Sequence, residues 1–199
     1  MNAPPLPEVE LWTDGSGTTQ EQPGGWAFVL RYIEPGTGEV HECEGYGRAH
    51  YATNNTMEMT ALLEGLRSLP WPCRVKLHAD SELVGLAFDN RKGGTWTEGR
   101  LTGWKKRGWR RTQGRLKNEG LWREIDEAAQ GHVIEFVHVR GHTGIALNER
   151  CDVLAGEQRK LAKEELASGN ATARSADTPG LALRNASGTN PSRREDGLV

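Results

Sequence analysis

The 199-residue sequence lacks long apolar runs, paired cysteines and a basic leader. No uninterrupted apolar stretch approaches the roughly 20 residues that a membrane helix needs. The first ten residues, MNAPPLPEVE, contain neither the basic nor the apolar region of a secretory signal. The three cysteines are odd in number and too widely spaced for a disulfide framework or a CxxC zinc site. We therefore expect a cytoplasmic protein that does not associate with membranes.

Charge is distributed unevenly along the chain. Between Arg91 and Lys117 there are ten basic residues and one acidic residue, Glu98, so this stretch carries a charge of +9. Because the whole chain has a net charge of -2, the remainder carries -11. The mean charge therefore says nothing about binding partners, whereas the local field of the basic stretch does.

The pattern of apolar residues predicts five strands and several helices. The sequence EPGTG between the second and third strands favours a hairpin, so we expect an antiparallel meander of three strands. Two further strands, each reached by a helical crossover, predict a mixed five-stranded α/β sheet flanked by helices. The predicted strands span 9–14, 25–34, 40–49, 73–80 and 132–139.

Helices are predicted after the third, fourth and fifth strands. In the stretch 54–69, methionine and leucine residues recur at helical spacing, with Asn54 or Asn55 as the N-cap and Pro70 as the stop. Ser81 can cap a second helix. A shorter helix is expected around the sequence EGLWREIDEAAQ, and a long one from 147 to 166.

The length favours one domain with extensions. We assign it to 9–167, after a short extension at 1–8, and we place a basic protrusion at about 91–117. From 168 to 199 the composition is dominated by Gly, Ser, Ala, Asn and Pro without apolar periodicity. Such a composition predicts a disordered tail.

Two aspartates stand where predicted strands end. Asp14 precedes the glycine-containing loop Gly15, Ser16, Gly17, and Asp80 ends the fourth strand. Loops at strand ends of an α/β sheet commonly build sites. Aspartate is also a favoured turn and N-cap residue, so each of the two, taken alone, is explained as well by capping as by function.

Two further acids lie on predicted helices. Glu58 is about 40° around its helix from the apolar stripe, where a carboxylate is costly unless a cation neutralises it. The alternative is a partly exposed glutamate on the helix flank. Asp152 lies in the first turns of the last helix, where the helix dipole alone already favours an acid.

Four such carboxylates can hold two Mg²⁺ ions, because Mg²⁺ takes one or two carboxylates and keeps water and phosphate oxygens as its other ligands. Mn²⁺ can substitute for it. A pair of metals about 4 Å apart supports phosphodiester hydrolysis. No Ser/His/Asp or Cys/His set competes for a catalytic role.

Several ordered motifs resemble bacterial ribonuclease H type 1: TDGSG, TNNTMEM, HADSEL, WKKRGW, GHTG and NERCD. The match runs in collinear order from about Val9 to Leu166. It implies a ribonuclease H-like fold and an endoribonuclease that hydrolyses the RNA strand of an RNA/DNA hybrid by a two-metal-ion mechanism. We expect a monomer.

The resemblance also implies roles for individual residues. The acidic set of the family falls on Asp14, Glu58, Asp80 and Asp152, and its mobile histidine, associated with proton transfer or product release, falls on His142. Residues implied to bind substrate are Ser16, Thr53, Asn54, Asn55, Trp104, Lys105, Lys106, Arg107, Trp109 and Asn148. Thr53 and the two asparagines are also explained by helix capping, and the basic run by solvation.

The chain departs from the family pattern at three places. Gln20 stands where an Asn is usual, Glu82 stands where a Gln is usual, and the segment between Asp80 and Trp104 is about nine residues longer. The alternatives to a hybrid-specific nuclease are a DNA endonuclease of the same fold, of the resolvase or integrase type, and a catalytically weak hybrid-binding module. The TNN and WKKRGW motifs argue against the first, and the presence of all four acids argues against the second.

Overall fold

The computed structural model describes residues 5–88, 91–92, 95–96, 99–169 and 180–185. The elements, in chain order, are β1 (Glu8–Ser16), β2 (Gln22–Ile33), β3 (Val40–Ala52), α1 (Asn54–Arg67), β4 (Arg74–Ala79), α2 (Glu82–Phe88), β5 (Arg91–Lys92), β6 (Thr95–Trp96), α3 (Arg100–Lys106), α4 (Glu119–Ala128), β7 (Val133–His138), α5 (Ala146–Ala167) and β8 (Gly180–Asn185). In the described part of the chain, no helix is long and apolar enough to cross a membrane.

The main sheet has the strand order β7-β4-β1-β2-β3-β8. β1, β2 and β3 pair antiparallel, and β4 lies parallel to both β1 and β7. The predicted mixed sheet, made of an antiparallel meander and two parallel strands, is therefore confirmed, and β8 adds a sixth strand at the edge of β3. The parallel arrangement brings the carboxyl ends of β1 and β4 to the same edge of the sheet.

The two faces of the sheet bury different cores because alternate side chains of a strand point to opposite faces. Leu11 of β1 lies in the larger core together with Met59 and Leu62 of α1. Trp12 faces the other way and packs in a smaller core with Cys151 of α5. Asp14 is two residues beyond Trp12, so β1 directs it toward the α5 side.

The N-cap of α1 is Thr53, so the prediction of Asn54 or Asn55 was wrong. Thr53 has an extended backbone conformation, with φ -100° and ψ 161°, and its side chain accepts a hydrogen bond from the backbone N–H of Thr56. The Thr56 hydroxyl in turn accepts from the Thr53 N–H at 2.9 Å. Asn54 is already helical, which leaves its amide available for other contacts.

Part of the predicted disordered tail forms a strand. β8 pairs antiparallel with β3, with Gly180 opposite Tyr46 and Asn185 opposite His41. The outer edge of β3 presents backbone N–H and C=O groups that an extended segment can pair with, whatever its composition. The prediction of disorder was therefore wrong for 180–185, while 170–179 and 186–199 lie outside the described residues.

The basic protrusion is anchored in the core. It contains α3, a helix that the sequence did not predict, and Leu101, Trp104 and Leu116 belong to the larger core cluster. β5 and β6 form a separate two-stranded sheet within it. Positions 93–94 and 97–98 lie outside the described residues.

Candidate active site

One polar cleft of about 200 Å³ collects all four predicted carboxylates. We call Asp14, Glu58, Asp80 and Asp152 the carboxylate quartet. Asp14 lies in β1, Glu58 on α1, Asp80 directly after β4 and Asp152 on α5, so residues far apart in the sequence meet here. The cleft is lined by Asp14, Gly15, Ser16, Gly17, Asn54, Glu58, Asp80, Gly141, His142, Asn148 and Asp152.

Strand register places the two aspartates side by side. β1 and β4 are parallel, with Trp12 opposite His78. The next position on the same face of each strand is Asp14 or Asp80, because side chains repeat every two residues. The rings of Trp12 and His78 are stacked, with centroids 3.9 Å apart and an interplanar angle of 6°. This stacked pair lies on the same face of the sheet as the two aspartates, two residues before them on each strand.

β1 continues past its predicted end at Asp14 to Ser16, and two glycines allow this end of the strand and the loop after it to approach helix α1. A Cβ atom on Gly15 would overlap the backbone nitrogen of Glu58, and one on Gly17 would lie 2.7 Å from the backbone nitrogen of Asn54. Only glycine permits so close a contact between backbones. The end of β1 and the loop after it therefore rest directly on the first turns of α1, which brings Glu58 to Asp14.

Both oxygens of the Glu58 carboxylate accept hydrogen bonds. Asn54 Nδ2 donates to Oε1 at 2.7 Å, and the Ser81 hydroxyl donates to Oε2 at 2.5 Å. Glu58 is half-buried on its helix between the buried residues Met57 and Met59. Its position at the border of the core agrees with the one expected from helical spacing.

The cleft makes negative charge unfavourable at two of its acids. Burial, and then the charge of Asp80, raise the pKa of Asp14 from 3.8 to about 7, and Asp152 and Glu58 contribute in the same direction. The Gly15 N–H donates to Asp14 Oδ1 at 2.7 Å and opposes the shift. Burial also raises the pKa of Glu58, while its hydrogen bond from Ser81 lowers it.

His142 lies at the outer side of the cleft. Its side chain is 81% exposed, and Nδ1 is 3.5 Å from Oδ2 of Asp152, a residue whose side chain is 44% exposed. His142 has a left-handed backbone with φ 56°, in a loop that also contains Gly144 at φ 83°. The imidazole is therefore accessible and close to one acid of the quartet.

The donor set of the cleft suits a hard divalent cation. Its charged donors are carboxylate oxygens, the ligands that Mg²⁺ prefers. The raised pKa of Asp14 reflects burial first and then the negative charge of neighbouring acids, and a bound cation would offset both. Among the described residues, only Glu34, Glu39 and His41 bring three ligand atoms within 4.8 Å of one another. The carboxylate oxygens of the quartet are therefore farther apart than the ligands of a single ion. Acids that share two ions about 4 Å apart need not converge on one point.

The chain matches the RNase H family profile over residues 7–160. Ribonuclease H of Thermus thermophilus is 42% identical over 159 residues, covering 79% of this chain and 87% of that protein. The chain belongs to the ribonuclease H family. The family is metal-dependent in general, and the prediction of a ribonuclease H hydrolase is confirmed.

Solved structures of ribonuclease H proteins have the same fold. LC9-RNase H1, described as a type 1 RNase H with the type 2 active-site motif, is 26% identical with a TM-score of 0.66, covering 96% of this chain and 95% of that one. LC11-RNase H1 in complex with an RNA/DNA hybrid is 20% identical with a TM-score of 0.51, covering 78% of this chain and 99% of that one. The alternative DNA endonuclease and binding-module interpretations are not favoured.

Some of the ribonuclease H substrate residues inferred from sequence lie in the cleft. Ser16, Asn54 and Asn148 line it. Asn55 is exposed at the start of α1. The Thr53 hydroxyl is engaged in the helix cap. Ser16 and Asn54 lie where the end of β1 meets α1, whereas Asn148 reaches the cleft from α5 and is 4% exposed.

The structure contradicts the predicted substrate role of Trp104. This side chain is 8% exposed and packs against Trp122 of α4, with ring centroids 5.0 Å apart. On α3, Trp104 and Leu101 form the buried face, while Lys105 and Lys106 are exposed. Trp104 therefore anchors the protrusion and offers no face to a ligand.

The other protrusion residues are on the surface, and several have protein partners. Lys105 Nζ lies 2.8 Å from Asp126 Oδ1, and the Arg107 side chain donates to a backbone carbonyl. Trp109 is half-buried, with the Arg123 guanidinium 4.7 Å from its ring centroid. The exposed arginines at 110, 111 and 115 surround a neighbouring depression. Positive charge is therefore concentrated here, away from the cleft.

Sequence reasoning missed Ser81 as a site residue. It was assigned only as a helix cap, and its oxygen does accept the Val84 N–H, at 3.4 Å. Its contact with Glu58 joins residues 23 positions apart, which no local pattern reveals. The one available signal was its place directly after Asp80.

Proposed function

We propose that the chain is an endoribonuclease that hydrolyses the RNA strand of an RNA/DNA hybrid, with the carboxylate quartet holding two Mg²⁺ ions. The observation that supports this most strongly is the presence of all four acids in one polar cleft, at the ends of β1 and β4 and on α1 and α5. The proposed catalytic residues are Asp14, Glu58, Asp80, Asp152 and His142.

In this proposal, the carboxylates of the cleft bind the cations and His142 transfers protons. When bound, a pair of divalent cations activates a water on one side of the scissile phosphodiester and stabilises the oxygen that leaves on the other. Asp14 must lose its proton to act as a ligand, so its raised pKa makes cation binding compete with protonation. His142, exposed and beside Asp152, is placed to carry a proton at the cleft edge.

The polar groups around the quartet would select the hybrid. The wide minor groove of an A-like duplex presents 2'-hydroxyls, which distinguish RNA from DNA. Ser16, Asn54, Asn55 and Asn148 supply hydroxyl and amide groups that can hydrogen-bond to such hydroxyls. Thr53 orients Asn54 and Asn55 by capping α1.

The basic protrusion would bind the backbone of the substrate. Lys105, Lys106 and Arg107 are exposed on one segment, followed by the half-buried Trp109. Cationic side chains that neutralise phosphates provide affinity without sequence preference. Trp104 has no part in this proposal.

We expect a monomer, because the four carboxylates of one chain already meet in one cleft. We also expect the protein to act in the cytoplasm. The three cysteines are free thiols, which is consistent with a reducing compartment.

The substrate assignment is tested by offering labelled RNA/DNA hybrid, duplex DNA and duplex RNA with Mg²⁺. We expect cleavage of the RNA strand of the hybrid alone. Loss of a residue that only supports a metal ligand typically lowers activity by up to roughly 100-fold. Asp80→Asn changes a proposed ligand itself, so cleavage at neutral pH should fall by more than that, while hybrid binding is retained. Glu124→Gln is the matched control, since Glu124 is an exposed acid paired with Arg67. Cleavage of duplex DNA but not hybrid would overturn the proposal, as would full activity of Asp80→Asn.

A further inference from the structure

The Glu58 carboxylate is held from two directions. Asn54, one turn earlier on α1, donates its side-chain N–H to Oε1, and Ser81, directly before α2, donates its hydroxyl to Oε2. Two donors on different oxygens prevent the carboxylate from rotating about its terminal bond. Glu58 thus has one fixed orientation although it is only half-buried.

The Ser81 hydroxyl has no freedom to point elsewhere. A serine hydroxyl has one proton to donate and lone pairs to accept with. Its oxygen accepts the Val84 N–H at 3.4 Å, and the Ser81 carbonyl accepts the Gly85 N–H at 2.9 Å, so the residue is fixed at the start of α2. The side chain is also buried, with the residue 9% exposed. The single proton is therefore committed to Glu58.

We infer that Ser81, assisted by Asn54, is a positioning residue that fixes Glu58 in the orientation in which it binds a divalent cation. This inference rests on the proposed function. Each carboxylate oxygen has two lone pairs, and the two donors occupy one on each oxygen. The remaining lone pairs are left for the cleft. A ligand held in advance loses less side-chain entropy when the cation binds.

The geometry separates this role from substrate binding. Ser81 is not among the residues that line the cleft; it lies behind Glu58 and reaches the site only through that carboxylate. Losing its hydroxyl should therefore weaken cation binding and leave contacts with the nucleic acid unchanged. Partners that orient a metal ligand typically contribute about 10-fold to 100-fold in metal affinity.

The test uses three variants of the full chain. Ser81→Gly removes the hydroxyl and keeps a residue that is accepted at a helix N-cap. Ser81→Thr keeps the hydroxyl and serves as the conservative replacement. Ser68→Ala is the matched control, since the Ser68 hydroxyl bonds to the Glu64 carbonyl at the other end of α1. Binding of Mn²⁺ alone is measured by calorimetry without nucleic acid, and folding is checked by thermal melting.

We expect Ser81→Gly to bind Mn²⁺ about 10-fold more weakly, with Ser81→Thr and Ser68→Ala close to the unmodified chain. In cleavage assays, Ser81→Gly should need more metal and recover at saturating metal, with the KM for hybrid unchanged. Unchanged Mn²⁺ affinity in Ser81→Gly, while the unmodified chain binds Mn²⁺ and cleaves hybrid, would overturn the positioning role alone. If the unmodified chain neither binds Mn²⁺ nor cleaves hybrid, the proposed function falls together with this inference.

Discussion

Replacing Asp14 by Asn should stabilise the cation-free protein by an amount that grows as the pH rises above 3.8 and is complete above about pH 7. In the folded chain the pKa of Asp14 is about 7, against 3.8 for an ordinary aspartate, because of burial and the charge of Asp80. The folded state therefore keeps a proton that the unfolded state has already lost. Above pH 3.8 this difference costs stability as the pH rises, and the cost is complete above about pH 7.

The magnitude follows from the size of the pKa difference. About 3 pKa units correspond to roughly 4 kcal/mol, which is an upper bound since the cleft is open to water. Asn is never charged, and its side-chain oxygen can still accept the Gly15 N–H. We expect Asp14→Asn to gain about 2 to 4 kcal/mol at pH 8 and close to nothing at pH 4. In a chain of this size such a gain raises Tm by roughly 5 to 15 °C.

The assay is urea or thermal unfolding between pH 4 and pH 8 in the presence of a chelator. Asp152→Asn is the matched control, because it removes one charge from the same cleft at a side chain that is 44% exposed, so its gain should be smaller. Adding Mg²⁺ should shrink the advantage of Asp14→Asn, since the cation stabilises only the chain that binds it. An equal gain at pH 4 and pH 8, or no gain at pH 8, would refute the electrostatic reasoning.

Two further predictions concern stability away from the cleft. Hydrogen bonds from Arg48 and His50 lower the pKa of Glu165 to about 2, so this acid stabilises the fold above its ordinary pKa of 4.5 and less as the pH falls toward 2. Glu165→Gln should therefore lose about 1 to 2 kcal/mol in urea unfolding at pH 7 and less at pH 3, and an equal loss at both would contradict this. Trp104→Ala should lose about 3 to 5 kcal/mol in the same assay, because it empties the contact with Trp122. A loss of hybrid affinity without a loss of stability would restore its predicted role as a substrate contact.

Most of the sheet was predictable because its signals are local. The alternating and apolar strands, the hairpin at 34–38 and the leucine spacing of α1 are readable within short windows. The N-cap of α1 was not predictable in this way. Helical periodicity cannot distinguish Thr53, which flanks the helix, from Asn54, which is its first residue. β8 was missed for a different reason, because its pairing depends on the open edge of β3.

The candidate site was predictable in its acids and less so in their surroundings. Asp14 and Asp80 were indicated by strand ends and Glu58 by its helical position, while Asp152 depended on the family resemblance. The orientation of Trp104 depends on α3, whose apolar face consists of that residue and Leu101 in a segment rich in charge. Charge and indole rings in the sequence suggested a binding surface, whereas in the structure Trp104 is buried against Trp122 of α4.

A crystal soaked with Mn²⁺ tests the central claim most directly, by locating the ions through anomalous scattering. The account predicts Mn²⁺ between the carboxylates of Asp14, Glu58, Asp80 and Asp152, with oxygen ligands at 2.0 to 2.3 Å, roughly the distances usual for hard divalent cations. Mn²⁺ bound only elsewhere, for example at the partly exposed cluster of Glu34, Glu39 and His41, with none in the cleft, would contradict it.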